Sequence, residues 1–465
     1  MKCGNYHIVY LLGIGGIGMS ALARLFRHMG CRIMGYDKTE SSLTAALTAE
    51  GMEIHYDDDP GLIPADVLVE REKVLVIYTP ALPADHNELN FFRDQGFEVF
   101  KRSEVLGIIT RSYRTVAVAG SHGKTTTSSM IAHILKYSGI PSLSIVGGII
   151  RGYDSNLIME GEPEAAGIAV VEADEYDRSF LHLYPEIAVI TSADADHLDV
   201  YGDHAGMLDS FAGFACNVAR GGAIYLREGL QDLIPSPSAV EIFTYGLSLG
   251  MYRAAHIYTV DDNMFFDFTG PDFQLEGLKM PVPGAHNVEN AIAAISVSLH
   301  LGVDPRLVAE AIGRYPGVKR RFEYIIRRRD LVFIDDYAHH PREIEALLES
   351  VRNLYPGRKI TAVFQPHLFS RTRDFAPDFG RSLSIADEVV LLDIYPAREQ
   401  PVPGVDSGLI LDFIQNTPAM RCTEADLPQR LLAMSPEVLL TIGAGDIDRL
   451  VLPLRNILLK RYSHD

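Results

Sequence analysis

The chain has 465 residues, enough for about three domains at the usual ~150 residues each. Its 42 Lys+Arg against 61 Asp+Glu give a net charge of -19, which argues against a nucleic-acid partner but leaves room for a local anion site. Hydrophobic residues at 47% and charged residues at 22% exclude a disordered chain, and the four cysteines (Cys3, Cys31, Cys216, Cys422) match no metal-ligand spacing and read as free thiols in a reducing compartment.

From the N-terminus, strand-like and helix-like patterns alternate. His7–Leu12 reads as a short buried strand, Gly13-Ile14-Gly15-Gly16-Ile17-Gly18 as a turn, and Met19–Met29 as a helix. Arg32–Tyr36 is a second strand, ending at Asp37, and Val74–Tyr78 a later one. Strand, helix, strand is the signature of a parallel sheet. The window Ile8–Phe26 is apolar enough to mimic a signal peptide, but its glycines make a poor hydrophobic helix. Arg24 and Arg27 follow too early for a membrane span of about 20 residues. A cytoplasmic protein with no stable membrane association is expected. The glycine turn lets a phosphate approach the backbone at a helix N-terminus, and Asp37 stands where an acid commonly holds a ribose hydroxyl. At this point NAD, FAD and UDP-sugars are all open as ligands.

Thr110–Arg114 is a polar break, followed by a strand at Thr115–Ala119, the run Gly120-Ser121-His122-Gly123-Lys124-Thr125-Thr126-Thr127, and a helix over Thr125–Lys136. Such a loop cradles a β-phosphate with backbone N–H groups, with Lys124 on the β/γ oxygens and Thr125 on Mg²⁺. It is shorter than the strict pattern, which wants glycine where Val118 stands. The strand Ile168–Glu172 ends in an acid, which makes Glu172 the first candidate Mg²⁺ ligand; the strand Ile187–Thr191 leads to Asp194, Asp196 and His197. Imidazole is a mediocre Mg²⁺ ligand, so His197 could equally orient a substrate.

Gly221–Val282 reads as short strands and turns, and Ala285–Leu301 as a helix that opens with His286, Asn287 and Asn290. The two asparagines are three apart, on one helical face, and their amides offer the donor–acceptor pair an adenine edge needs. Tyr315-Pro316-Gly317 breaks the chain again. Beyond it βα alternation returns at Leu331–Ile334, Ile344–Asn353, Ile360–Phe364, Glu388–Leu392 and Val438–Ile442, with Arg327–Arg329 as an exposed hairpin turn. Asp336 reads as a ligand-facing acid or as a mere cap. The cations of Phe364–Asp374 follow a strand and could bind a substrate carboxylate.

The ordered set GIGGIG, GSHGKTTT, EADEYD, DHLDVYG, HNVEN, RRFE and DDYAHHP resembles the Mur ligases of peptidoglycan synthesis over nearly the whole chain. Gly13–Ser20, Asp335–Pro341 and Phe364–His367 are closest to the member that adds L-alanine. The resemblance implies an α/β fold of three domains: a UDP-binding Rossmann-like domain (1–110), a central P-loop ATPase (111–315) and a Rossmann-like domain (316–465) that presents the amino acid. It implies a monomer or homodimer, ATP and Mg²⁺ as cofactors, and L-alanine joined to the lactyl carboxylate of UDP-N-acetylmuramate through an acyl phosphate. Carried over by motif, Gly15, Gly16, Ile17, Gly18, Met19, Ser20, Asp37, Thr79 and His122 meet the UDP-substrate. Gly120, Ser121, His122, Gly123, Lys124, Thr125, Thr126, His286, Asn287, Asn290, Arg321 and Asp336 meet ATP. Lys124, Glu172 and His197 are catalytic, and Thr125, Glu172 and His197 hold metal. Tyr337, His339, His367, Arg371 and Arg373 face the amine. The family usually has arginine after His367, where this chain has Leu368, which shifts carboxylate binding onto Arg371 or Arg373. Several relatives use a carbamylated lysine; this chain has no lysine between Lys136 and Lys279, in keeping with the alanine-adding member. The alternatives are a ligase that recycles a whole tripeptide, a P-loop ATPase switch, and an NAD-dependent oxidoreductase. The last leaves the P-loop without a task, and the switch leaves the C-terminal His and Arg cluster without one.

Overall fold

The five residues Ile8–Leu12 are all buried, and so are most residues of the strands beside them, as strands of a two-sided parallel sheet must be. The computed structural model describes residues 6–161, 167–195, 198–235, 237–397 and 399–462. A first sheet is built from β1 (Ile8–Leu12), β2 (Arg32–Tyr36), β3 (Glu53–His55), β4 (Val74–Tyr78) and β5 (Glu98–Lys101), parallel throughout, in the order β3-β2-β1-β4-β5. The order reverses on either side of β1, so the crevice of this doubly wound sheet opens where the glycine turn leaves β1. The segment that mimics a signal peptide is therefore a strand, a turn and the 12-residue helix Ile17–His28. Among the described residues no helix is long and apolar enough to cross a membrane.

The second sheet has ten strands: β6 (Arg114–Ala119), β7 (Ser142–Ile150), β8 (Ser155–Glu160), β9 (Ile168–Glu172), β10 (Ile187–Ile190), β11 (Ala223–Arg227), β12 (Glu241–Gly246), β13 (Tyr252–Val260), β14 (Asn263–Thr269) and β15 (Gln274–Met280). Their order is β15-β14-β13-β12-β11-β10-β6-β9-β7-β8. The P-loop strand β6 lies between β10 and β9, both parallel to it, so the ends of all three converge on one crevice. The third sheet combines β16 (Glu323–Arg327), β17 (Val332–Asp336), β18 (Ile360–Phe364), β19 (Glu388–Leu391), β20 (Ala419–Arg421) and β21 (Val438–Ile442) in the order β16-β17-β21-β18-β19-β20. Only β16 is antiparallel there, paired with β17 across the turn that carries Arg328 and Arg329.

The chain divides into two compact units. One comprises Met1–Ile257, Phe266–Lys279 and Glu289–Tyr315; the other Tyr258–Phe265, Met280–Val288 and Pro316–Asp465. Within the first unit a single hydrophobic cluster runs from Leu22 and Leu25 through Ile109 to Ile145, Phe180 and Ile190. Polar bonds reinforce it at Asn156 of β8, which is fully buried. The Asn156 side chain accepts a hydrogen bond from Arg24 (2.7 Å) and donates to Ser20 Oγ (3.0 Å) and to the Ile17 carbonyl.

One expectation is corrected here. Cys31 is disulfide-bonded, so among the described residues only Cys216 and Cys422 are free thiols. Spacing along the chain does not reveal such a link.

Candidate active site

The run 120–127 forms a turn that leads into a helix. Gly120 (φ 136°) and Gly123 (φ 80°) turn the chain between β6 and the helix Lys124–Tyr137. A Cβ on Gly120 would lie 2.1 Å from Thr191 Oγ1, and one on Gly123 would lie 2.6 Å from Asn290 Oδ1. The loop is braced on the end of β10: the Ser121 hydroxyl donates to the Asp194 carbonyl (2.8 Å) and the His122 amide donates to Ser192 Oγ (2.7 Å). His122 Nε2 lies 3.6 Å from the Asp194 carboxylate.

Thr125 and Glu172 meet as the sequence predicts. The Thr125 hydroxyl donates to Glu172 Oε2 (2.8 Å), and the Gly147 amide of β7 donates to the same oxygen (2.9 Å). No group of three His, Cys, Asp or Glu side chains gathers as a metal cluster among the described residues. Two oxygen donors from the protein nevertheless fit a Mg²⁺ that takes its remaining ligands from phosphates and water. His197 lies outside the described residues. The Lys124 ammonium donates to the Gly120 carbonyl (2.6 Å) and to Glu175 (2.9 Å). Burial opposes its charge, but the carboxylates of Glu175, Glu172 and Asp174 outweigh burial and hold it well above the usual lysine range.

Asn290 and Asn287 have different partners. Asn290 Oδ1 accepts from the Thr127 hydroxyl (3.2 Å) beside Gly123, whereas the Asn287 amide donates to the Pro283 carbonyl (2.6 Å) at its own helix start. Asn290 is thus tied to the P-loop and Asn287 to a local turn. Thr126 is buried in the first turn after the loop.

At the glycine turn of the first sheet, the amides of Gly13 and Ile14 donate to the Tyr36 carbonyl (2.8 and 3.0 Å). Asp37 Oδ2 accepts from Gly15 N (2.8 Å), so the acid lies at the turn itself. Thr79 packs on the other side, 2.5 Å from where a Gly13 Cβ would be. Gly16 and Ile17 are exposed and Gly15 and Gly18 half-buried, but Met19 and Ser20 are fully buried and point into the packed interior. Their side chains are structural; the helix start offers its amides.

In the second unit, Asp336 ends β17 with both oxygens bonded by backbone amides, Phe322 N (2.6 Å) and Ala338 N (2.8 Å). The cap of the next helix, Pro341–Leu354, is instead His340, with Glu343 completing the capping box. Arg321 lies over the Tyr337 ring (5.0 Å) and 3.8 Å from Glu343. Burial and Arg321 push the His286 imidazole down to about 4 against the pull of Glu343, so it is neutral at pH 7. His339 packs edge-on to His367 (6.0 Å), which stacks on Tyr395 (5.7 Å). Arg371 is buried, whereas Arg373 is exposed and paired with its neighbour Asp374 (2.7 Å). Leu368 is 6% exposed and holds φ 70°, with its carbonyl accepting from Thr372 N and Oγ1. It packs inward and presents no charge. Sequence reasoning missed Glu175, Glu343 and Tyr395. The acidic run 172–177 was a signal for Glu175, while nothing in the sequence singled out Tyr395.

Comparison with known proteins agrees with this geometry. The Mur ligase family catalytic-domain profile matches residues 8–114, the Mur ligase middle domain 118–298, and the Mur ligase glutamate ligase domain 320–445. The UDP-N-acetylmuramate–L-alanine ligase of Cytophaga hutchinsonii is 46% identical over 464 residues, covering 100% of this chain and 99% of its own. That of Porphyromonas gingivalis W83 is 48% identical, covering 97% and 98%. The UDP-N-acetylmuramate-alanine ligase structure of Thermotoga maritima superposes with a TM-score of 0.80 at 28% identity, covering 98% of this chain and 99% of that one. A murein peptide ligase from Psychrobacter arcticus shares the fold, with a TM-score of 0.71 at 22% identity over 97% and 98% of the two chains.

Proposed function

The chain belongs to the Mur ligase family, and we propose that it joins L-alanine to the lactyl carboxylate of UDP-N-acetylmuramate, driven by ATP, in peptidoglycan synthesis. The observation that carries this reading is the presence in one compact unit of two phosphate-type turns, Gly13–Gly18 and Gly120–Lys124, each leading from a strand end into a helix. A nucleotide switch or a dehydrogenase has use for only one of them. The full-length relatives named as alanine ligases support the choice of amine over a tripeptide.

The chemistry follows from the poor leaving ability of hydroxide. A lactyl carboxylate oxygen attacks the γ-phosphorus and the phosphorus–oxygen bond to ADP breaks, giving an acyl phosphate. The alanine amine attacks the acyl carbon and loses a proton. The carbon–oxygen bond to phosphate then breaks, leaving the amide and an inorganic phosphate that keeps the substrate oxygen. The protein positions and neutralises charge. In our reading the turn from Gly123 and the start of the helix after it face the phosphates with their amides, Lys124 neutralises the phosphate oxygens, and Asn290 with Thr127 fixes the loop. Thr125 and Glu172, with His197, would hold Mg²⁺, which would supply charge neutralisation to the phosphates. His286, neutral, and Asn287 serve the adenine side with Arg321. Asp336, both oxygens satisfied by amides, holds the loop that carries Tyr337. Tyr337, His339, His367 and Arg371 take the amino acid; Arg373, paired at the surface, contributes least.

The test is phosphate release with each substrate omitted in turn. Release that requires UDP-N-acetylmuramate, ATP and L-alanine together supports the ligase. Release without the UDP-sugar supports the switch, and turnover with tripeptide but not L-alanine supports the recycling ligase. Lys124→Ala should cut turnover by roughly a thousandfold or more, since it removes the cation on the transferred phosphoryl group.

A further inference from the structure

Two adjacent residues of the loop after β9 hold cations from two different places. Glu175, almost completely buried, takes the Lys124 ammonium with both oxygens (2.9 and 2.8 Å). Asp174 takes Arg102 Nη2 (2.9 Å). Lys124 opens the helix after the P-loop, and Arg102 opens the helix Arg102–Thr110, the last of the first α/β region. A cation in a first helical turn runs against the helix dipole, so each is a costly place for a merely structural ion pair.

Arg102 also reaches the other glycine turn. A Cβ on Gly18 would stand 2.2 Å from Arg102 Nη1 and 3.1 Å from its Cδ, so the guanidinium lies directly against the start of the helix Ile17–His28. Asp174 takes Nη2, while Nη1 lies on the glycine-turn side. The same division holds for Lys124. Both Glu175 oxygens lie on one side of its ammonium (2.9 and 2.8 Å), while the Gly120 carbonyl (2.6 Å) and, more weakly, the Ser121 carbonyl (3.5 Å) hold it over the P-loop turn. In both cases a carboxylate anchors the cation by one side and aims the rest of it at a phosphate-type turn.

The loop itself is held in place. Its Glu175 carbonyl accepts from the Tyr201 hydroxyl (2.5 Å), and its Asp177, in the left-handed region (φ 53°), is paired with Lys101 (3.1 Å), the residue before Arg102.

We propose that Asp174 and Glu175 are positioning residues, one for each phosphate-bearing substrate: Glu175 aims Lys124 at ATP, and Asp174 aims Arg102 at the diphosphate of the UDP-sugar. Arg102 thereby joins the substrate-binding residues. This rests on the ligase reading above, in which the Gly13–Gly18 turn takes the UDP-sugar.

The experiment is steady-state kinetics of the full-length enzyme, varying ATP and UDP-N-acetylmuramate separately, with Asp174→Asn, Glu175→Gln and Arg102→Ala. Asp174→Asn and Arg102→Ala should raise KM for the UDP-sugar about five- to tenfold, the worth of one oriented hydrogen bond, with KM for ATP unchanged. Glu175→Gln should raise KM for ATP by a similar factor with KM for the UDP-sugar unchanged. A structural role would lower folded yield or shift both constants together, and that result overturns the proposal. So does a fall in KM for the UDP-sugar in Asp174→Asn, which would make Asp174 a competitor of the diphosphate. Because Glu175 is buried, its variant is the one that could misfold; the exposed-side pair, Asp174→Asn and Arg102→Ala, decides the matter by itself. If wild type does not turn over UDP-N-acetylmuramate at all, the ligase reading fails; if it does and the split is absent, only this inference fails.

Discussion

At the residue scale, Gly123 shows how one position serves backbone and site together. Its φ of 80° disfavours any side chain, and a Cβ would strike Asn290 Oδ1 at 2.6 Å. Gly123→Ala should cost about 1–3 kcal/mol of stability through strain and displace the loop that faces the phosphates. Urea unfolding together with calorimetric titration of ATP checks both effects; wild-type ATP affinity in this variant would remove the loop from the site. The sequence made the loop legible because glycine, lysine and threonine in that order have few other uses after a buried strand. It did not reveal that Met19 and Ser20, part of the same motif as Gly15–Gly18, face the interior, since a motif does not say which side of a helix each member occupies.

At the element scale, β7 and β8 were not read from the sequence, yet β8 carries the junction inside the first unit. β8 places Asn156 beside Arg24, Ile17 and Ser20. Those partners stand more than 130 positions away, beyond the reach of any local pattern. Replacing Asn156 by leucine leaves the Arg24 guanidinium and Ser20 hydroxyl short of a partner in a buried setting, a loss of about 1–3 kcal/mol. Denaturant unfolding should show it, accompanied by higher KM for the UDP-sugar because the helix Ile17–His28 is the one released. By contrast, the parallel strands Arg32–Tyr36, Val74–Tyr78, Ile168–Glu172, Ile360–Phe364 and Val438–Ile442 were legible to the residue, because strands buried on both faces leave continuous apolar runs.

At the scale of the whole molecule, the net charge of -19 says little about where anions go. Local cations and amides decide that, and carboxylates hold those cations ready. One carboxylate works in the opposite sense. Glu88 is fully buried on the far face of the first sheet, where it accepts from the Tyr10 hydroxyl (2.9 Å) and lies 3.3 Å from His55 Nε2. Burial pushes it up from 4.5 to about 8, and neighbouring Asp58 adds to the effect while the Tyr10 bond opposes it. A carboxyl raised on folding stabilises the fold fully below its unfolded value and loses that contribution as pH climbs through about 8. Burial lowers His55 and His86, whose contributions fade instead as pH falls. The melting temperature of wild type should therefore drop more between pH 6 and 9 than that of Glu88→Gln, and parallel profiles for the two would contradict the assignment.

The central claim is that the substrate carboxylate is activated by ATP and then captured by alanine. The direct measurement uses UDP-N-acetylmuramate carrying ¹⁸O in its lactyl carboxylate, incubated with ATP, L-alanine and enzyme, with the released phosphate and the amide product read by mass spectrometry. The mechanism predicts one ¹⁸O in each inorganic phosphate released and an L-alanyl amide that keeps the other. Unlabelled phosphate, or phosphate formed with no amide, would contradict it.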